Sequence, residues 1–389
     1  MLTKEENVVL TRVGPGTPAG ELLRRYWHPV ALVMELTDER PTVFVRILGE
    51  DLVLFRDLSG NVGLVGDHCP HRGASLLYGR VEERGIACAY HGWLYDTAGN
   101  CLETPAEPAD SRFHLTVRHT AYPVQKFVGM YWAYLGPAPA PVIPRYDVWV
   151  RRDGRRRIGI RPQLDCNWLQ AMENSADPAH LQILHQDAGG RRPPNTTRGS
   201  IDDIDHFEFT ELEWGLLKNA IFKDGKEDGH PLIFPSILRQ GDGTHIRVPI
   251  DDTHTRIFDV RFVPTEDGSE VDEEEPTVRS FGVFKDPIDR MYPFARYKMD
   301  EVPAQDYMAW ETQGPLADRS VERLATSDRG VVMYRDMLRR EIERVEQGLD
   351  PKGLIRDENH AMIDTNLDES LALMGLIPAD RGHRTLARA

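Results

Sequence analysis

The chain has 389 residues, enough for two domains with sizeable cores. A formal net charge of −15 argues against nucleic acid or an anionic membrane surface as a partner. No run approaches the roughly 20 apolar residues of a membrane span, the first seven residues lack a signal-peptide core, and four cysteines are too few for a disulfide framework; a cytoplasmic protein is expected.

In chain order, Gly14-Pro15-Gly16-Thr17-Pro18 reads as a turn, followed by a helix over 19–30 that carries Leu22, Leu23, Tyr26 and Trp27. From 41 to 135 the texture changes to short strands. Runs at 42–48 and 51–56 around Gly49-Glu50 read as a hairpin, and 61–65, 85–90, 93–96 and 130–135 continue the pattern. A small all-β sandwich or barrel is expected there. The Pro-rich stretch 136–141 then reads as a stiff linker. Beyond it, 164–185 looks helical, 237–263 reads as strands, and 267–276 is an acidic loop expected to be solvated and without chemistry. A further helix is expected after Ser327-Asp328, with Val331, Tyr334, Leu338, Ile342 and Val345 as its apolar stripe. The second half is therefore α+β.

Two segments carry the chemistry, Cys69-Pro70-His71-Arg72-Gly73 and Cys88-Ala89-Tyr90-His91-Gly92-Trp93. Each supplies one thiolate and one imidazole, the ligand set of a Rieske [2Fe–2S] centre with two Cys on one iron and two His on the other. Zinc sites more often pair Cys with Cys and His with His in sequence. Here each loop gives one of each, so the two ligand types can separate onto two metals. Downstream, Asp177, His180 and His185 form a second metal-type constellation, and two imidazoles with one carboxylate leave positions open on a mononuclear iron. On one continuous helix, residues five apart point about 140° apart. His180 and His185 can share a metal only if the helix ends or bulges between them.

On these residues the chain resembles the oxygenase (alpha) component of the Rieske non-haem iron oxygenases. Gly14-Pro15-Gly16-Thr17-Pro18 followed by Leu23-Arg24-Arg25-Tyr26-Trp27, with C-P-H-R-G and C-x-Y-H-G-W, is similar to the phthalate dioxygenase-like branch. Respiratory Rieske proteins carry extra loop cysteines that are absent here. The resemblance implies an N-terminal segment (1–40) packing on the catalytic domain and an all-β Rieske domain (41–136). After a linker (137–146) follows an α+β catalytic domain (147–389) with a central antiparallel sheet flanked by helices. It implies a [2Fe–2S] cluster on Cys69, His71, Cys88 and His91, and a mononuclear Fe(II) on His180 and His185. Asp177 matches the acid that bridges a ligand His to the cluster His of a neighbouring subunit, His91 in this numbering. For the third ligand, Asp318, Asp328 and Asp336 are candidates; Thr326-Ser327-Asp328-Arg329-Gly330-Val331-Val332 fits the family pattern, so Asp328 is expected, although Asp is also a favoured helix cap.

The implied activity is terminal oxygenation, with O₂ and electrons from a separate NAD(P)H-dependent reductase, with or without a ferredoxin, in a homotrimer or stacked hexamer. No Gly-rich dinucleotide fingerprint follows a strand in this chain. The expected reaction is hydroxylation of an aromatic, carboxylated substrate; O- or N-demethylation of a related acid is the alternative. A Rieske electron carrier would leave the C-terminal half unexplained. The pocket is expected among 201–222, 233–252 and 281–299, with Arg198, Arg239, Arg247 and Arg256 as candidate anion binders and His254 as a hydrogen-bonded corner residue.

Overall fold

The computed structural model describes residues 1–185, 201–286 and 296–365. Helix α1 (Lys4–Thr11) begins in a Thr3/Glu6 capping box and lies against the second half of the chain, where Asn7 Nδ2 donates to the Ala317 carbonyl (2.9 Å). Helix α2 (Pro18–Leu23) is shorter than the expected 19–30 helix. Pro29 lacks an N–H and pushes His28 out of the helical region, so Trp27–Leu32 is a fully buried strand paired antiparallel with Met130–Tyr134. The chain thus joins the first β domain well before residue 41.

That domain holds two four-stranded sheets. One comprises Thr42–Ile47, Glu50–Arg56, Val62–Gly66 and Ala121–Tyr122; the other comprises Arg80–Glu82, Gly85–Ala87, Leu94–Tyr95 and Cys101–Glu103. Between them Val53, Phe55, Val65, Leu76, Ile86 and Tyr95 form a core that includes Cys69 and Cys88. The first hairpin turns at Leu48-Gly49, both at positive φ (49° and 75°), the backbone of a type I′ turn. The N–H groups of these two residues donate to the carbonyls of Pro249 and Ile250 (2.9 and 3.0 Å), which fastens the β domain to the second half of the molecule.

The second half is built on an eight-stranded sheet. Its order is Ile204–Leu212, Gly215–Phe222, Glu227–Ile233, Ile237–Gln240, Gly243–Pro249, Thr255–Pro264, Gly154–Ile160 and Thr277–Val278, antiparallel except for the last pair. Around it lie α3 (Asp147–Val150), α4 (Trp168–Ala176), α5 (Ala179–Ile183), α6 (Val302–Glu311) and α7 (Arg329–Glu346). The expected stripe of α7 is buried at all five positions. It packs in one core with Trp168 and Met172 of α4 and with Ile246, Val248 and Phe258 of the sheet. Tyr307 and Trp310 of α6 pack instead with Leu164 and Ile257. The acidic loop is not merely solvated: Arg156 Nη1 donates to Glu273 (2.7 Å), both side chains less than a tenth exposed, because the neighbouring strand carries Arg155-Arg156-Arg157.

Helix α4 is held by charge as well as packing. Glu173 accepts from Arg319 through both oxygens (2.7 Å each) and from Arg335 Nε (2.6 Å), and Arg335 also grips Glu322. Burial alone would raise the Glu173 pKa, but the two guanidinium groups outweigh it and hold the carboxyl below its ordinary range. Glu173→Gln leaves two buried cations underneutralised, so a loss of about 3 kcal/mol is expected in denaturant unfolding at neutral pH. A depressed carboxyl stabilises above the unfolded-state pKa and loses that contribution as pH falls through the folded-state value. The difference between wild type and variant should therefore shrink on acidification below the carboxylate range; a pH-independent difference would refute the electrostatic origin.

Candidate metal centres

The two loops of the β domain are built alike. Gly73 N–H donates to the Cys69 carbonyl and Gly92 N–H to the Cys88 carbonyl, each at 2.8 Å. The next hydrogen bonds out, Cys69 N–H to Ala74 O and Cys88 N–H to Trp93 O (2.9 Å each), close both loops at the sheet. Gly73 and Gly92 sit at φ 74° and 73°, a left-handed conformation that glycine adopts freely. The loops bury both thiols and leave His71 exposed and His91 half-buried. The imidazoles lie together, ring centroids 4.5 Å apart, and His71 stacks on Trp93 at 4.4 Å. Buried sulfurs beneath outward imidazoles suit an asymmetric binuclear cluster, whose inner iron takes thiolates and outer iron takes nitrogen. The Tyr95 hydroxyl, 3.2 Å from Cys69 Sγ, can donate to a thiolate there.

The second constellation depends on a break in a helix. The stretch expected to be helical over 164–185 is α4 and α5 separated at Asp177-Pro178. Asp177 takes an extended backbone (φ −95°, ψ 117°), as a residue before proline prefers. Its Oδ1 accepts the Ala179 N–H (2.7 Å) and starts α5, while its carbonyl accepts from Lys218 Nζ (2.8 Å). Helix α5 ends at Ile183, so His185 lies beyond it and turns back towards His180; the two rings are 5.2 Å apart, centroid to centroid, and nearly perpendicular.

The carboxylate that joins them is Asp306 of α6, not the expected Asp328. One ligand atom from each of His180, His185 and Asp306 lies within 4.8 Å of the others, with Asp306 Oδ1 3.2 Å from His185 Nε2 and 3.9 Å from His180 Nε2. His185 Nδ1 faces Gln305 Oε1 (2.8 Å), which fixes the proton on Nδ1 and turns the Nε2 lone pair inward. Asp306 Oδ1 is buried without a hydrogen-bond donor. Burial lowers the His180 pKa, so its imidazole is neutral and able to ligate. An orphaned carboxylate oxygen facing two imidazole nitrogens fits a metal of the two-His, one-carboxylate type.

Asp328 instead turns back on its own chain: its Oδ2 accepts the Ala325 N–H (2.6 Å) across the 3₁₀ turn Thr326–Asp328 that precedes α7, and its side chain makes no cap to α7 itself. Asp318 is likewise bonded locally to Ser320, and Asp336 pairs with Arg339. The signal that marks Asp306 in sequence is its place one turn before Trp310, at the edge of the buried side of α6. Of the candidate anion binders, Arg239 is neutralised by Asp147 (2.9 Å), Arg256 stands on the opposite face of the sheet from Arg247, and Arg198 lies outside the described residues. Arg247 is buried against Met172 and Trp310, with Nε unpartnered. His254 bonds Asp251 as expected.

Residues 26–127 match the family described as Rieske [2Fe-2S] domain, and 289–364 match LigXa C-terminal domain like. The 5,5'-dehydrodivanillate O-demethylase oxygenase subunit of Sphingobium sp. is 40% identical over 92% of this chain and 84% of its own length. The phthalate 4,5-dioxygenase oxygenase subunit of Pseudomonas putida is 34% identical, covering 87% of this chain and 85% of its own length. Among solved structures, NdmA of Pseudomonas putida CBB5 shares the fold, with a TM-score of 0.62 at 21% identity over 88% of this chain and 98% of that one.

The ligand set makes a direct prediction. Asp306→Asn is expected to lower bound iron from about three to about two per chain while the cluster's visible absorption is retained, whereas Asp328→Asn keeps about three. Iron analysis after anaerobic reconstitution checks both; the reverse pattern would restore Asp328 as the ligand.

Proposed function

The chain belongs to the Rieske-type oxygenase subunits, oxidoreductases that act with a separate reductase, and within that family we propose that it hydroxylates an aromatic acid at a mononuclear Fe(II) held by His180, His185 and Asp306. The observation that carries this reading is the convergence of those three side chains around an orphaned Asp306 oxygen. When bound, a cluster on Cys69, His71, Cys88 and His91 supplies electrons singly, and the iron provides the open coordination sites at which O₂ is activated.

The protein's own residues do the rest. Gln305 orients His185, and Asp177 stands 3.4 Å from His180 Nδ1 through Oδ2. Burial would raise the Asp177 pKa, but His180, the Ala179 N–H and Lys218 outweigh it and keep the carboxylate ionised. Asp177 keeps a quarter of its side chain exposed, and His71 and His91 are also accessible. That accessibility supports a bridge from Asp177 to His91 of a neighbouring copy in a homotrimer or stacked hexamer, with a reductase, with or without a ferredoxin, delivering electrons to the cluster.

Arg247 supports a carboxylated substrate. Among the described buried arginines, Arg24, Arg156, Arg239, Arg319 and Arg335 each pair with a carboxylate, and Arg247 does not. An unpaired buried cation costs several kcal/mol, a cost that an anionic ligand offsets. O-demethylation is the second reading, favoured by the relative at 40% identity. Product mass under labelled O₂, with a surrogate reductase, NADH and a panel of benzoates, phthalates and methoxybenzoates, separates the two: two ring-bound labels mean dihydroxylation, and released formaldehyde means demethylation.

Two variants test the residue roles. Asp177→Asn is expected to retain both metal centres and lose substrate oxidation by about a hundredfold or more; unchanged turnover would remove the bridge. Arg247→Lys is expected to raise KM for carboxylated substrates about tenfold with a smaller change in kcat, since a point charge replaces a bidentate fork. Equal KM values would refute the anchor.

A further inference from the structure

His245 lies two residues before Arg247 on the strand Gly243–Pro249, so both side chains leave the same face of the sheet. Arg247 places that face: its guanidinium meets Met172 of α4 and the Trp310 ring of α6, the helix that bears Asp306. Ile257, the cross-strand partner of Arg247, packs in the same α6 core. His245 therefore stands on the wall that faces the proposed iron site. It lies within the domain and keeps 15% of its side chain accessible.

The cluster behind it fixes its tautomer. Arg161 Nη2 donates to Asp259 Oδ2 (2.7 Å) and stands 2.6 Å from His245 Nε2. Asp259 Oδ2 also lies 3.2 Å from Nε2, but the closer neighbour is the guanidinium, which has only donors, so Nε2 accepts from Arg161 and the ring proton resides on Nδ1. Burial, with Arg161, Arg247 and Arg261 nearby, pulls the His245 pKa well down and keeps the ring neutral. Among the described residues no acceptor meets the Nδ1–H. A buried ion pair thus holds one neutral donor, and among the described residues that donor has no acceptor.

We propose that His245 is a specificity-determining residue that donates its Nδ1–H to a ring oxygen substituent, hydroxyl or alkoxy, of an aromatic acid whose carboxylate is held by Arg247. Alternate residues on a strand are spaced about 6.7 Å apart, a span comparable to that between the carboxylate and a para oxygen on one benzene ring. The substrate class is then a para-oxygenated benzoate or a larger aryl acid that contains one. Arg161 and Asp259 are positioning residues that act through His245. The inference rests on the proposed reading of an aromatic acid at the iron site and narrows it.

The test is calorimetric binding of 4-hydroxybenzoate, 4-methoxybenzoate and benzoate to the iron-loaded full-length protein, with substrate-stimulated O₂ uptake as a parallel readout. Wild type should bind the two para-oxygenated acids at least about tenfold more tightly than benzoate, which lacks the group a buried donor is built to meet. His245→Leu should remove that preference, read as the ratio of para-oxygenated to benzoate affinity, with residual benzoate binding reporting that the site is folded. His245→Asn, which keeps an N–H near the same position, should retain most of the preference. Equal loss for all three acids in His245→Leu, or no preference in wild type while benzoate still binds and drives O₂ uptake, would overturn the His245 assignment and leave the aromatic-acid reading standing. Failure of wild type to bind any of the three acids would overturn both.

Discussion

The interruption of one helix at Asp177-Pro178 is the constraint on which the proposed iron site depends. Continued through residue 185, α4 would set His180 and His185 on faces about 140° apart. Proline at 178 disfavours helical backbone at the residue before it and cannot donate back. Asp177 then satisfies the groups that the break exposes: its N–H donates to the Asn174 carbonyl, its side chain receives the Ala179 N–H, and its own carbonyl receives Lys218. Lys218 is buried deeply enough to have its pKa pulled down to about 8, so an ammonium has been taken out of water at this junction. The residue that ends the helix also stands beside His180, and the geometry of the site and its proposed electron path therefore share one amino acid.

Because the break makes the backbone there irregular, the surrounding elements must be stiff. On α4, Glu173 is clamped by Arg319 and Arg335, and Gln170 reaches the Trp310 and Gly314 carbonyls at the end of α6. That second link ties the helix preceding the His pair to the helix bearing Asp306. Gln305, adjacent to Asp306, bonds both His185 and the Met299 carbonyl, so the same turn of α6 supplies the proposed carboxylate ligand and orients one imidazole. Buried polar groups of this kind contribute little net stability one by one, but they admit few alternative arrangements.

How much of this was legible in sequence follows from how local each feature is. The four proposed cluster ligands fall within two five-residue loops, each ending in a left-handed glycine, and loop chemistry is written in adjacent letters. The need for a break between His180 and His185 was likewise arithmetic on helix geometry. The proposed third ligand is not legible: Asp306 is 121 positions from His185, a separation that only tertiary packing resolves, and Asp328 sits in a motif whose own local role, closing the turn back to Ala325 ahead of α7, explains its presence. The aromatic and apolar spacing of Leu22, Leu23, Tyr26 and Trp27 suggests a helix through residue 30, whereas the backbone obeys Pro29 and runs as the strand Trp27–Leu32. The acidic loop is largely exposed as expected, but its tether through Glu273 is not legible, because the partner, Arg156, lies on a strand more than a hundred residues earlier.

Buried cations give a way to sort structural from functional charge without any ligand in view. Arg239 and Arg247 lie on neighbouring strands of the sheet, and both are almost fully buried. Arg239 is matched by Asp147 and Thr365, so its charge is accounted for within the fold. Among the described residues Arg247 touches a thioether and an indole ring, and burial pulls its pKa down to about 10 although Asp306 acts in the opposite direction, a sign of a guanidinium with too little compensation. Replacing such a group by an apolar residue would stabilise a protein that had no further use for it. In the proposed reading its place, on the strand shared with His245 and facing α6, suits an anion pocket: the fold leaves the electrostatic cost outstanding, and a substrate carboxylate offsets it on binding.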